Sequence, residues 1–385
     1  MKIAIFTDTY LPQINGVART YQRLLTYLTG RGIGVKLFAP SGVTNAEEDT
    51  GHTVTRFLSC NFFLYPECQI SFPNYLTVHR ELEQFRPDLI HLATPFLLGL
   101  TGLKYANSHA VPKVAVFHTD FPQYLDYYGA PWLKKVAWRF LRWFHRQADQ
   151  TFCPSHDTVR LLTRHGIGNL SIWRRGVDAD QFSPAWRSAE FRWRHGLEHK
   201  IVLLYVGRLA PEKNVDTLLQ ALSIVNRSCG HLHLLIVGDG PQRRELELLA
   251  PANTTFLGYR SGTELSRVYA SADLFVCPSV TETFGNVVLE AMASSLPVIA
   301  PLAGGIKENL FPGNTGLDCL PRNPFSMAAA ILRLIDEDGL RRRLARQALE
   351  HARNQSWDAV LGRLVDSYQD VIHGSRSRQL GAGRA

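Results

Sequence analysis

The sequence predicts an α/β protein made of two Rossmann-like domains, each a doubly wound parallel sheet covered by helices. Short β-rich runs alternate with amphipathic helical stretches along the chain, which is the pattern of such sheets. The 385 residues exceed what one core usually holds, and 45% of them are hydrophobic. A motif also recurs, because Ala148-Asp149, three residues and Cys153-Pro-Ser155 are matched by Ala272-Asp273, three residues and Cys277-Pro-Ser279.

The predicted strands are the β-rich runs of the two halves. They are 2–8, 35–39, 89–94, 113–119 and 150–155 in the first half, and 201–207, 232–238, 254–258, 274–279 and 297–301 in the second. We expect an N-terminal domain over 1–178, completed by a helix at 357–372, and a C-terminal domain over 179–356. Residues 374–385 are expected to form a disordered tail. Ligands of such sheets bind beyond the carboxyl ends of the strands, so we expect the domains to face each other across a cleft.

The composition narrows the class of partner. A net charge of +8 indicates nucleic acid, anionic lipid or phosphorylated substrates. No zinc-finger or RNA-binding signature is present, so nucleic acid is not expected. The six cysteines form no C-x-x-C pair and are interpreted as thiols of a reducing compartment, with Cys153 and Cys277 buried. The chain begins with a strand and not a signal peptide, and no apolar run approaches roughly 18 residues. We therefore expect a cytoplasmic protein.

Several enzyme classes lack their motifs here. The nearest approach to a dinucleotide-binding fingerprint, Gly-Asp-Gly-Pro-Gln-Arg at 238–243, lacks the third glycine. The sequence has neither a Walker loop nor a Gly-x-Ser-x-Gly elbow. Two acid-x-acid pairs, Asp178 with Asp180 and Asp336 with Asp338, could hold Mg²⁺, but solvated turns are the favoured interpretation. No metal site is predicted.

Glu282 and Glu290 bracket the start of a predicted helix, the first on the loop and the second inside the helix. Gly285 and Asn286 between them can turn the chain and cap the helix, so that backbone N–H groups converge on a point suited to a diphosphate. These groups belong to Phe284, Gly285, Asn286 and Val287. Each glutamate could accept hydrogen bonds from hydroxyl groups, one from a ribose and the other from a sugar ring. The alternative is a capped surface helix with two solvated acids.

Arg208 and Lys213 follow a predicted strand and precede a helix, at the carboxyl edge of the second sheet. There they can offer fixed positive charge to a leaving diphosphate, a task that a divalent cation performs elsewhere. Gly16, on the loop after the first strand, would let the backbone approach the phosphates. The alternative interpretation places both cations on a solvated loop.

Taken in this order, the motifs resemble those of GT-B nucleotide-sugar glycosyltransferases of family 4, which are retaining enzymes. The pieces are Asn15-Gly16, Phe117-His118-Thr119-Asp120, Arg175-Gly-Val-Asp178, Gly207-Arg208 with Glu212-Lys213, Gly238-Asp-Gly240-Pro241, Glu282 to Glu290, and Gly304-Gly305 with Glu308. Within the family, Asn15-Gly-Val17 and Trp173-Arg-Arg-Gly-Val-Asp178 resemble bacterial GDP-mannose-dependent α-mannosyltransferases. The resemblance covers nearly the whole chain.

The resemblance implies a role for each matching residue, with an acceptor-binding N-terminal domain and a donor-binding C-terminal one. Arg208 and Lys213 would hold the diphosphate. Glu290 would bind the ribose hydroxyls and Glu282 the donor sugar. The pocket would be completed by Gly16, Gly238 and the N–H groups of Phe284, Gly285, Asn286 and Val287, with the base, guanine or uracil, near Tyr259 and Arg260. His118 would contact the transferred sugar, whereas its sequence position alone favours a hydrogen-bonded structural histidine.

The implied chemistry is retention at the anomeric carbon through an ion-pair-like transition state, in which the departing diphosphate takes the proton of the acceptor. No enzymic nucleophile is evident, so catalysis would consist of positioning and of stabilising leaving-group charge. The nucleotide sugar would be a co-substrate. No tightly bound cofactor and no metal are expected.

The stretch 131–146 has the periodicity of an amphipathic helix with a basic side. Its predicted apolar face is Leu133, Val136, Ala137, Phe140, Leu141 and Phe144. The opposite stripe is Lys135, Arg139, Arg142 and Arg146, with Trp132 and Trp143 on one flank and Trp138 on the other. Tryptophan beside cations suits an anionic membrane surface, which we expect Lys135, Arg139, Arg142 and Trp143 to contact. The alternative is a helix packed on its own sheet with solvated charges.

The sequence thus predicts a peripheral enzyme that moves a hexose to a lipid or lipid-linked glycan at the inner face of the cell membrane, with mannose from GDP-mannose favoured. Aromatic residues at 62–65 and at 124, 127 and 128 could line an acceptor channel or belong to the core. The alternatives are a family 4 transferase using UDP-glucose or UDP-GlcNAc, a GT-B sugar-nucleotide epimerase, a non-catalytic adaptor and a glycogen-type synthase. The acceptor, linkage and oligomeric state are left open.

Overall fold

The structure is a computed structural model that describes residues 1–13, 15–42, 53–62, 65–127 and 130–382. The chain divides into two compact units, Met1–Arg174 with Asp358–Ala385, and Arg175–Trp357. The domain boundary expected after residue 178 lies a few residues beyond the observed boundary, which falls between Arg174 and Arg175.

The first unit is built on a seven-stranded sheet in the order β3-β2-β1-β6-β7-β8-β9, with every neighbouring pair parallel. Strands β4 and β5 form a separate antiparallel pair. The strands are β1 Lys2–Phe6, β2 Gly34–Pro40, β3 Thr53–Phe57, β4 Ser59–Phe62, β5 Tyr65–Ser71, β6 Leu89–Leu92, β7 Lys113–Val116, β8 Gln150–Cys153 and β9 Leu170–Ile172. The helices are α1 Gly16–Gly30, α2 Tyr75–Phe85, α3 Leu97–Ser108, α4 Phe121–Tyr127, α5 Lys134–Arg146 and α6 His156–Arg164.

The second unit is built on a six-stranded parallel sheet in the order β12-β11-β10-β13-β14-β15. Its strands are β10 Ile201–Val206, β11 Leu232–Val237, β12 Thr254–Gly258, β13 Leu274–Val276, β14 Val298–Pro301 and β15 Gly316–Cys319. Its helices are α7 Ala189–Arg194, α8 Val215–Val225, α9 Arg243–Leu249, α10 Gly262–Ser271, α11 Asn286–Ala293, α12 Pro324–Asp336 and α13 Asp338–Arg353.

The two parallel sheets confirm the predicted fold class of two Rossmann-like domains. Each of the predicted β-rich runs contains an observed strand. The strands that the sequence pattern missed are the outer strands β3, β9 and β15 and the antiparallel pair β4–β5. Strands β3 and β9 are largely only partly buried and β15 has the exposed Asp318 at its centre, so these short strands lack the continuous apolar run that identifies a central parallel strand.

The recurring motif has a structural explanation. Asp149, just before β8, accepts a hydrogen bond from the Lys113 N–H at the start of β7, at 2.9 Å. Asp273, just before β13, accepts one from the Val202 N–H near the start of β10, at 2.9 Å. In each unit the aspartate therefore fixes the register of two neighbouring strands. The cysteines that end these strands, Cys153 and Cys277, are buried as predicted.

The last helix, α14, covers Trp357–Ala382 and packs in the first unit through buried residues that include Leu361, Leu364 and Tyr368. The expectation of a disordered tail from residue 374 is wrong for 374–382, which continue this helix. Adding residues to an existing helix avoids the cost of nucleation, and the Ser377 hydroxyl donates to the His373 carbonyl at 3.0 Å. Across the described residues, no helix has both the length and the hydrophobicity needed to traverse a bilayer.

Candidate active site

Three of the predicted donor-binding residues of the second unit lie where the strand order of its sheet reverses. Strands β10 and β13 are neighbours at the centre of the sheet, and the chain moves outward from them to opposite edges. The loop after β10 carries Arg208 and Lys213, and the loop after β13 carries Glu282. In open α/β sheets this switch point, beyond the carboxyl ends of the strands, is where ligands bind.

Glycines allow the loops after β10 and β11 to touch. A Cβ on Gly238, whose φ is +132°, would lie 1.9 Å from the Gly207 carbonyl oxygen. A Cβ on Gly240 would lie 2.3 Å from the Leu209 carbonyl oxygen. No side chain fits at either position, so the Gly-x-Gly pair at 238–240 holds the loop that bears Arg208 in place.

The charged side chains of these loops are paired. Lys213 Nζ lies 2.5 Å from Glu282 Oε1, and both side chains are less than one-fifth exposed, at 17% and 18%. Arg208 Nη1 lies 3.6 Å from Glu212 Oε1, whose side chain is 1% exposed. The Glu212 carbonyl also accepts from the hydroxyl of Thr281 at 3.3 Å, which joins the two loops. The structure therefore brings together Lys213 and Glu282, which are 69 residues apart in the sequence.

Helix α11 begins as the spacing of Glu282 and Glu290 predicts, but its cap differs. Gly285 is the N-cap residue with φ +82°, and no side chain caps the helix. Of the two residues predicted to turn the chain and cap the helix, Gly285 turns the chain as the N-cap, whereas Asn286 is the first helical residue and its side chain does not cap. The Oδ1 atom of Asn286 is buried without a hydrogen-bond partner among the described residues.

A second glycine pair supports the loop that carries Glu282. A Cβ on Gly304 would lie 2.4 Å from the Glu282 carbonyl oxygen, and one on Gly305 would lie 2.2 Å from the Thr283 carbonyl oxygen. The Gly305 N–H donates to the Glu282 carbonyl at 2.6 Å. The buried Asn309 side chain donates to the Phe284 carbonyl at 3.3 Å. The backbone from 282 to 284 is thus fixed from its own domain.

The remaining donor-site candidates lie along the same edge. Glu290, inside α11, accepts a hydrogen bond from the buried Tyr269 hydroxyl at 3.0 Å. Tyr259 and Arg260 follow β12, with Tyr259 43% exposed and the Arg260 Nη1 donating to the Tyr259 carbonyl at 2.9 Å. Sequence reasoning did not find Tyr269, because nothing in its helical context distinguishes a tyrosine that orients a carboxylate from one that fills a core.

In the first unit, His118 belongs to a buried chain of hydrogen bonds. Its Nε2 lies 2.8 Å from the Tyr21 hydroxyl, which lies 2.7 Å from Nε2 of His91. His91 Nδ1 lies 2.8 Å from the Tyr368 hydroxyl on α14. The Trp173 ring packs edge-on against this chain, with ring centroids 5.7 Å apart for His118 and 6.0 Å apart for His91.

The chain of hydrogen bonds couples the tautomers of its two histidines. A hydroxyl donates one hydrogen, so while both imidazoles are neutral Tyr21 donates to one Nε2 and accepts from the other. His91 and His118 therefore carry opposite tautomers. The proton position on His118 is tied to that on His91 and, through it, to the direction of the Tyr368 hydroxyl.

His118 also lines a pocket beyond the carboxyl edge of the first sheet. Other lining residues are Thr9, Thr94, Phe117, Thr119 and His145. Next to Thr94 lies the fully buried Asp8, whose pKa is raised to about 6 by burial, although it accepts hydrogen bonds from the Thr94 hydroxyl at 2.7 Å and the Ser71 N–H at 3.1 Å. Burial lowers the pKa of His145 to about 4. Between about pH 4 and pH 6, Asp8 and His145 are therefore both mostly uncharged.

The position of Gly16 differs from the prediction. Asn15 is the N-cap of α1, with its side chain accepting from the Ala18 N–H at 2.9 Å, and Gly16 is the first helical residue and not a loop residue. Asparagine is a favoured N-cap residue, so this signal was present in the sequence.

Comparison with known proteins assigns the family. A model of the Glycosyltransferase Family 4 domain matches residues 14–181, and a model of the Glycosyl transferases group 1 domain matches residues 200–337. The chain is 38% identical to a protein of Mycobacterium tuberculosis (strain CDC 1551 / Oshkosh) named GDP-mannose-dependent alpha-mannosyltransferase, over 98% of this chain and 99% of the relative. The chain belongs to glycosyltransferase family 4.

Two further likenesses agree with this assignment. The family 4 chain is 29% identical to the alpha-monoglucosyldiacylglycerol synthase of Streptococcus pneumoniae (strain ATCC BAA-255 / R6), over 78% of this chain and 71% of the relative. The crystal structure of Anabaena Alr3699/HepE in complex with UDP superimposes with a TM-score of 0.77 at 19% identity, over 96% of this chain and 100% of that one. The latter shows the shared fold. The protein is therefore a glycosyltransferase, and the expected hexosyltransferase activity is confirmed at the level of the enzyme class.

The basic helix of this glycosyltransferase is α5, and its buried face differs from the prediction. Trp138, expected on a flank, is 8% exposed and stacks on His165 with centroids 3.6 Å apart and planes 4° apart. Val136, expected in the core, is 52% exposed. The flat ring of His165, just after α6, offers a stacking surface that draws tryptophan inward in preference to valine.

The predicted basic surface is otherwise exposed. Its cations Lys135, Arg139 and Arg142 are exposed, and Trp132 and Trp143 are 75% and 49% exposed. The side chains of the aromatic residues at 62–65, 124, 127 and 128 lie outside the described part of the chain. Of the two acid pairs, Asp178 accepts from the backbone of Asp180 and Gln181, and Asp338 pairs with Arg341 and Arg342, so both make turn or helix contacts.

Proposed function

We propose that this family 4 enzyme transfers mannose from GDP-mannose, with retention of anomeric configuration, to a lipid or lipid-linked glycan. The observation that carries the donor is the near full-length identity to a protein named for GDP-mannose and mannosyl transfer. The observation that carries the mechanism is the pairing of Lys213 with Glu282 at the sheet switch point. A diphosphate placed there would meet two fixed cations and the start of a helix.

In the proposed donor site each charged side chain binds one part of the nucleotide sugar. Arg208 and Lys213 bind the diphosphate, with the N–H groups of Gly285, Asn286 and Val287 completing the anion site. Glu282 accepts hydrogen bonds from the donor sugar, and Glu290, oriented by Tyr269, accepts those of the ribose. Gly238 keeps the loops in contact, while Phe284 is buried behind the helix start. Tyr259 and Arg260, both beyond β12, lie nearest the base.

The proposed reaction breaks the bond between the anomeric carbon and the diphosphate oxygen, and the diphosphate leaves with the electron pair. The acceptor hydroxyl oxygen attacks from the same face, and its proton passes to the leaving oxygen. The cations stabilise the charge that develops on the diphosphate, so the reaction does not require a metal ion or an enzymic nucleophile. His118 contacts the transferred sugar, Tyr21 and His91 position it, and Gly16 admits the backbone of α1 to the phosphates.

The donor is tested by thermal unfolding with GDP-mannose, UDP-glucose and UDP-GlcNAc, followed by transfer assays with labelled donor. We expect GDP-mannose to raise the Tm most, since a ligand of the folded state stabilises it by mass action. A larger rise in Tm with either UDP-sugar would mean that this sugar nucleotide, and not GDP-mannose, is the donor. Release of an epimerised sugar nucleotide from donor alone would make the protein an epimerase. A product with the anomeric configuration opposite to that of the donor would reject retention.

For the acceptor we propose that α5 docks on an anionic membrane surface. Trp132 and Trp143 stand exposed beside the cations, an arrangement typical of membrane-interface helices. One relative is named for a glucosylated diacylglycerol, which supports a lipid acceptor. On this proposal the enzyme is cytoplasmic and peripheral on the inner face of the cell membrane.

Vesicle co-sedimentation tests the docking surface. The triple variant Lys135→Glu, Arg139→Glu, Arg142→Glu should bind anionic vesicles at least about 100-fold more weakly, because each basic residue contributes about 1 kcal/mol near such a surface. A matched control reverses the exposed cations Arg342, Arg343 and Arg346 of α13, and should bind normally. Equal binding by both triple variants would show that α5 is not the docking surface.

A further inference from the structure

We propose that His79, Glu83 and His109 form a binding site for a divalent cation of the zinc type, which ties α2 to α3 in the first unit. His79 and Glu83 are four positions apart on α2 and therefore share a helix face. His109 directly follows α3. One ligand atom from each of the three residues lies within 4.8 Å of the others.

The two ring nitrogens of His109 both face acceptors, and this arrangement requires a positive charge on the ring or next to it. Its Nδ1 lies 3.0 Å from the Tyr105 carbonyl oxygen, and its Nε2 lies 3.3 Å from Glu83 Oε1. Both partners are acceptors, whereas a neutral imidazole has one N–H. If Nδ1 carries that proton, the lone pair of Nε2 faces a carboxylate oxygen. Either a second proton or a metal ion between Nε2 and Glu83 resolves this opposition.

The geometry can accommodate a metal ion. Zinc ligands at about 2.0–2.1 Å in a tetrahedron are separated from one another by roughly 3.4 Å, close to the observed 3.3 Å between His109 and Glu83. The ring of His79 provides the second nitrogen, with its centroid 5.2 Å from that of His109. Two imidazoles and one carboxylate are a donor set that zinc accepts, with water in the fourth position.

Outer contacts fix these ligands. The backbone carbonyl of Tyr105 sets the His109 tautomer with Nε2 free to ligate, and the Tyr105 ring stacks on His109 with centroids 4.1 Å apart. The Tyr105 hydroxyl donates to Glu83 Oε1 at 2.9 Å. Such partners commonly orient metal ligands.

The test uses the full chain in reductant, titrated with Zn²⁺ by calorimetry and with Co²⁺ by absorption spectroscopy. We expect one ion per chain, with a Co²⁺ spectrum that has d–d bands and no thiolate charge-transfer band. His79→Ala, Glu83→Gln and His109→Ala should each weaken binding at least about tenfold, and Tyr105→Phe by less, since outer-sphere contacts contribute less than ligands. His199→Ala, at an exposed histidine outside the cluster, is the matched control and should bind normally.

Absence of stoichiometric binding, or binding unchanged in the three ligand variants, would overturn the proposal. So would a histidine NMR titration in which His109 is doubly protonated at neutral pH and unaffected by Zn²⁺. These measurements do not depend on sugar transfer, so the site stands or falls separately from the proposed function.

Discussion

The two units hold their candidate reactive groups by different physical means. In the first, His118 is held by neutral hydrogen bonds through Tyr21 and His91, both fully buried. In the second, Lys213 is held by an opposite charge, Glu282, and both side chains remain partly exposed. A neutral buried chain fixes direction without removing a charge from water, whereas a partly exposed ion pair can exchange its partner for a charged ligand.

This difference matches the proposed roles. A group that binds a diphosphate must give up its resting contacts when the ligand arrives, and Lys213 can turn from the carboxylate to phosphate oxygens with little loss. A group that contacts an uncharged sugar needs a fixed orientation instead. We therefore expect substitutions in the second unit to affect turnover first, and those in the chain around His118 to affect stability and turnover together.

The largest expected effect is on turnover in Lys213→Ala. Removing one preorganised cation from a leaving diphosphate should raise the activation free energy by about 2 to 4 kcal/mol, roughly 30- to 900-fold in kcat. Steady-state kinetics and thermal unfolding of the same preparation check this, with the exposed Arg333→Ala as the control ion-pair variant. Turnover close to that of the unmodified enzyme would reject the assignment of Lys213.

Arg208→Ala tests the comparison further, because Glu212, the ion-pair partner of Arg208, is buried. We expect the same loss of kcat, together with a loss of stability that Lys213→Ala does not show, since an uncompensated carboxylate is left at a site with 1% exposure. Double substitution Arg208→Ala, Glu212→Gln should recover the Tm and not the kcat. Recovery of both would make Arg208 structural.

Gly305→Ala tests the support of the Glu282 loop. Its Cβ would lie 2.2 Å from a backbone oxygen, so the loop must shift, at a cost of about 1 to 3 kcal/mol in the free energy of unfolding and with a loss of donor affinity. Gly339→Ala, in α13 with nothing within 4 Å of the new Cβ, is the matched control and should be neutral or slightly stabilising. Denaturant unfolding of both variants compares them, and equal stability would show that the loop adapts freely.

The same comparison explains what the sequence could reveal. Arg208, Lys213 and Glu282 lie in short motifs at strand ends, so local spacing and charge were enough to find them. The central strands could be predicted equally well, because parallel strands buried on both faces are continuous apolar runs. Both signals are local in sequence.

The contacts around His118 could not be predicted from local sequence signals. Tyr368 is 277 positions from His91, and neither has a sequence context that differs from a core residue. Tyr269, the hydrogen-bond partner of Glu290 on another helix, is a similar case. The rotation of α5 toward Trp138 depends on its stacking partner His165, just after α6, and the periodicity of α5 alone cannot include such a contact. Tertiary contacts therefore decide the details that the local pattern leaves open.

Tyr21→Phe breaks the chain of hydrogen bonds around His118 at its centre. It removes the hydroxyl between two buried imidazoles, and we expect a loss of about 1 to 2 kcal/mol in the free energy of unfolding, with a lower kcat because the His118 ring loses the hydrogen bond with Tyr21. Denaturant unfolding and steady-state kinetics measure the two effects. Tyr368→Phe, whose hydroxyl contacts His91 and not His118, is the matched control and should lose stability with a smaller loss of kcat. Equal kcat values for the two variants would mean that Tyr21 has only a structural role.

The smallest expected effect is a change in pH dependence at Asp8. Its folded pKa of about 6 lies above the ordinary value of 3.8, so the folded state binds the proton more tightly than the unfolded state. Its contribution is fully present below the unfolded pKa and is lost as the pH rises through 6. Between pH 5 and pH 7 the loss is about 1 kcal/mol.

Asp8→Asn cannot ionise, so the difference in stability between it and the unmodified enzyme isolates this contribution from every other titrating group. The variant should gain about 1 kcal/mol relative to the unmodified enzyme from pH 5 to pH 7, even if it is less stable at both values through altered contacts with Thr94 and Ser71. Denaturant unfolding at the two pH values measures the difference. A constant difference would show that the carboxyl keeps an ordinary pKa, and hence that the folded protein accommodates a charged Asp8 next to Thr94.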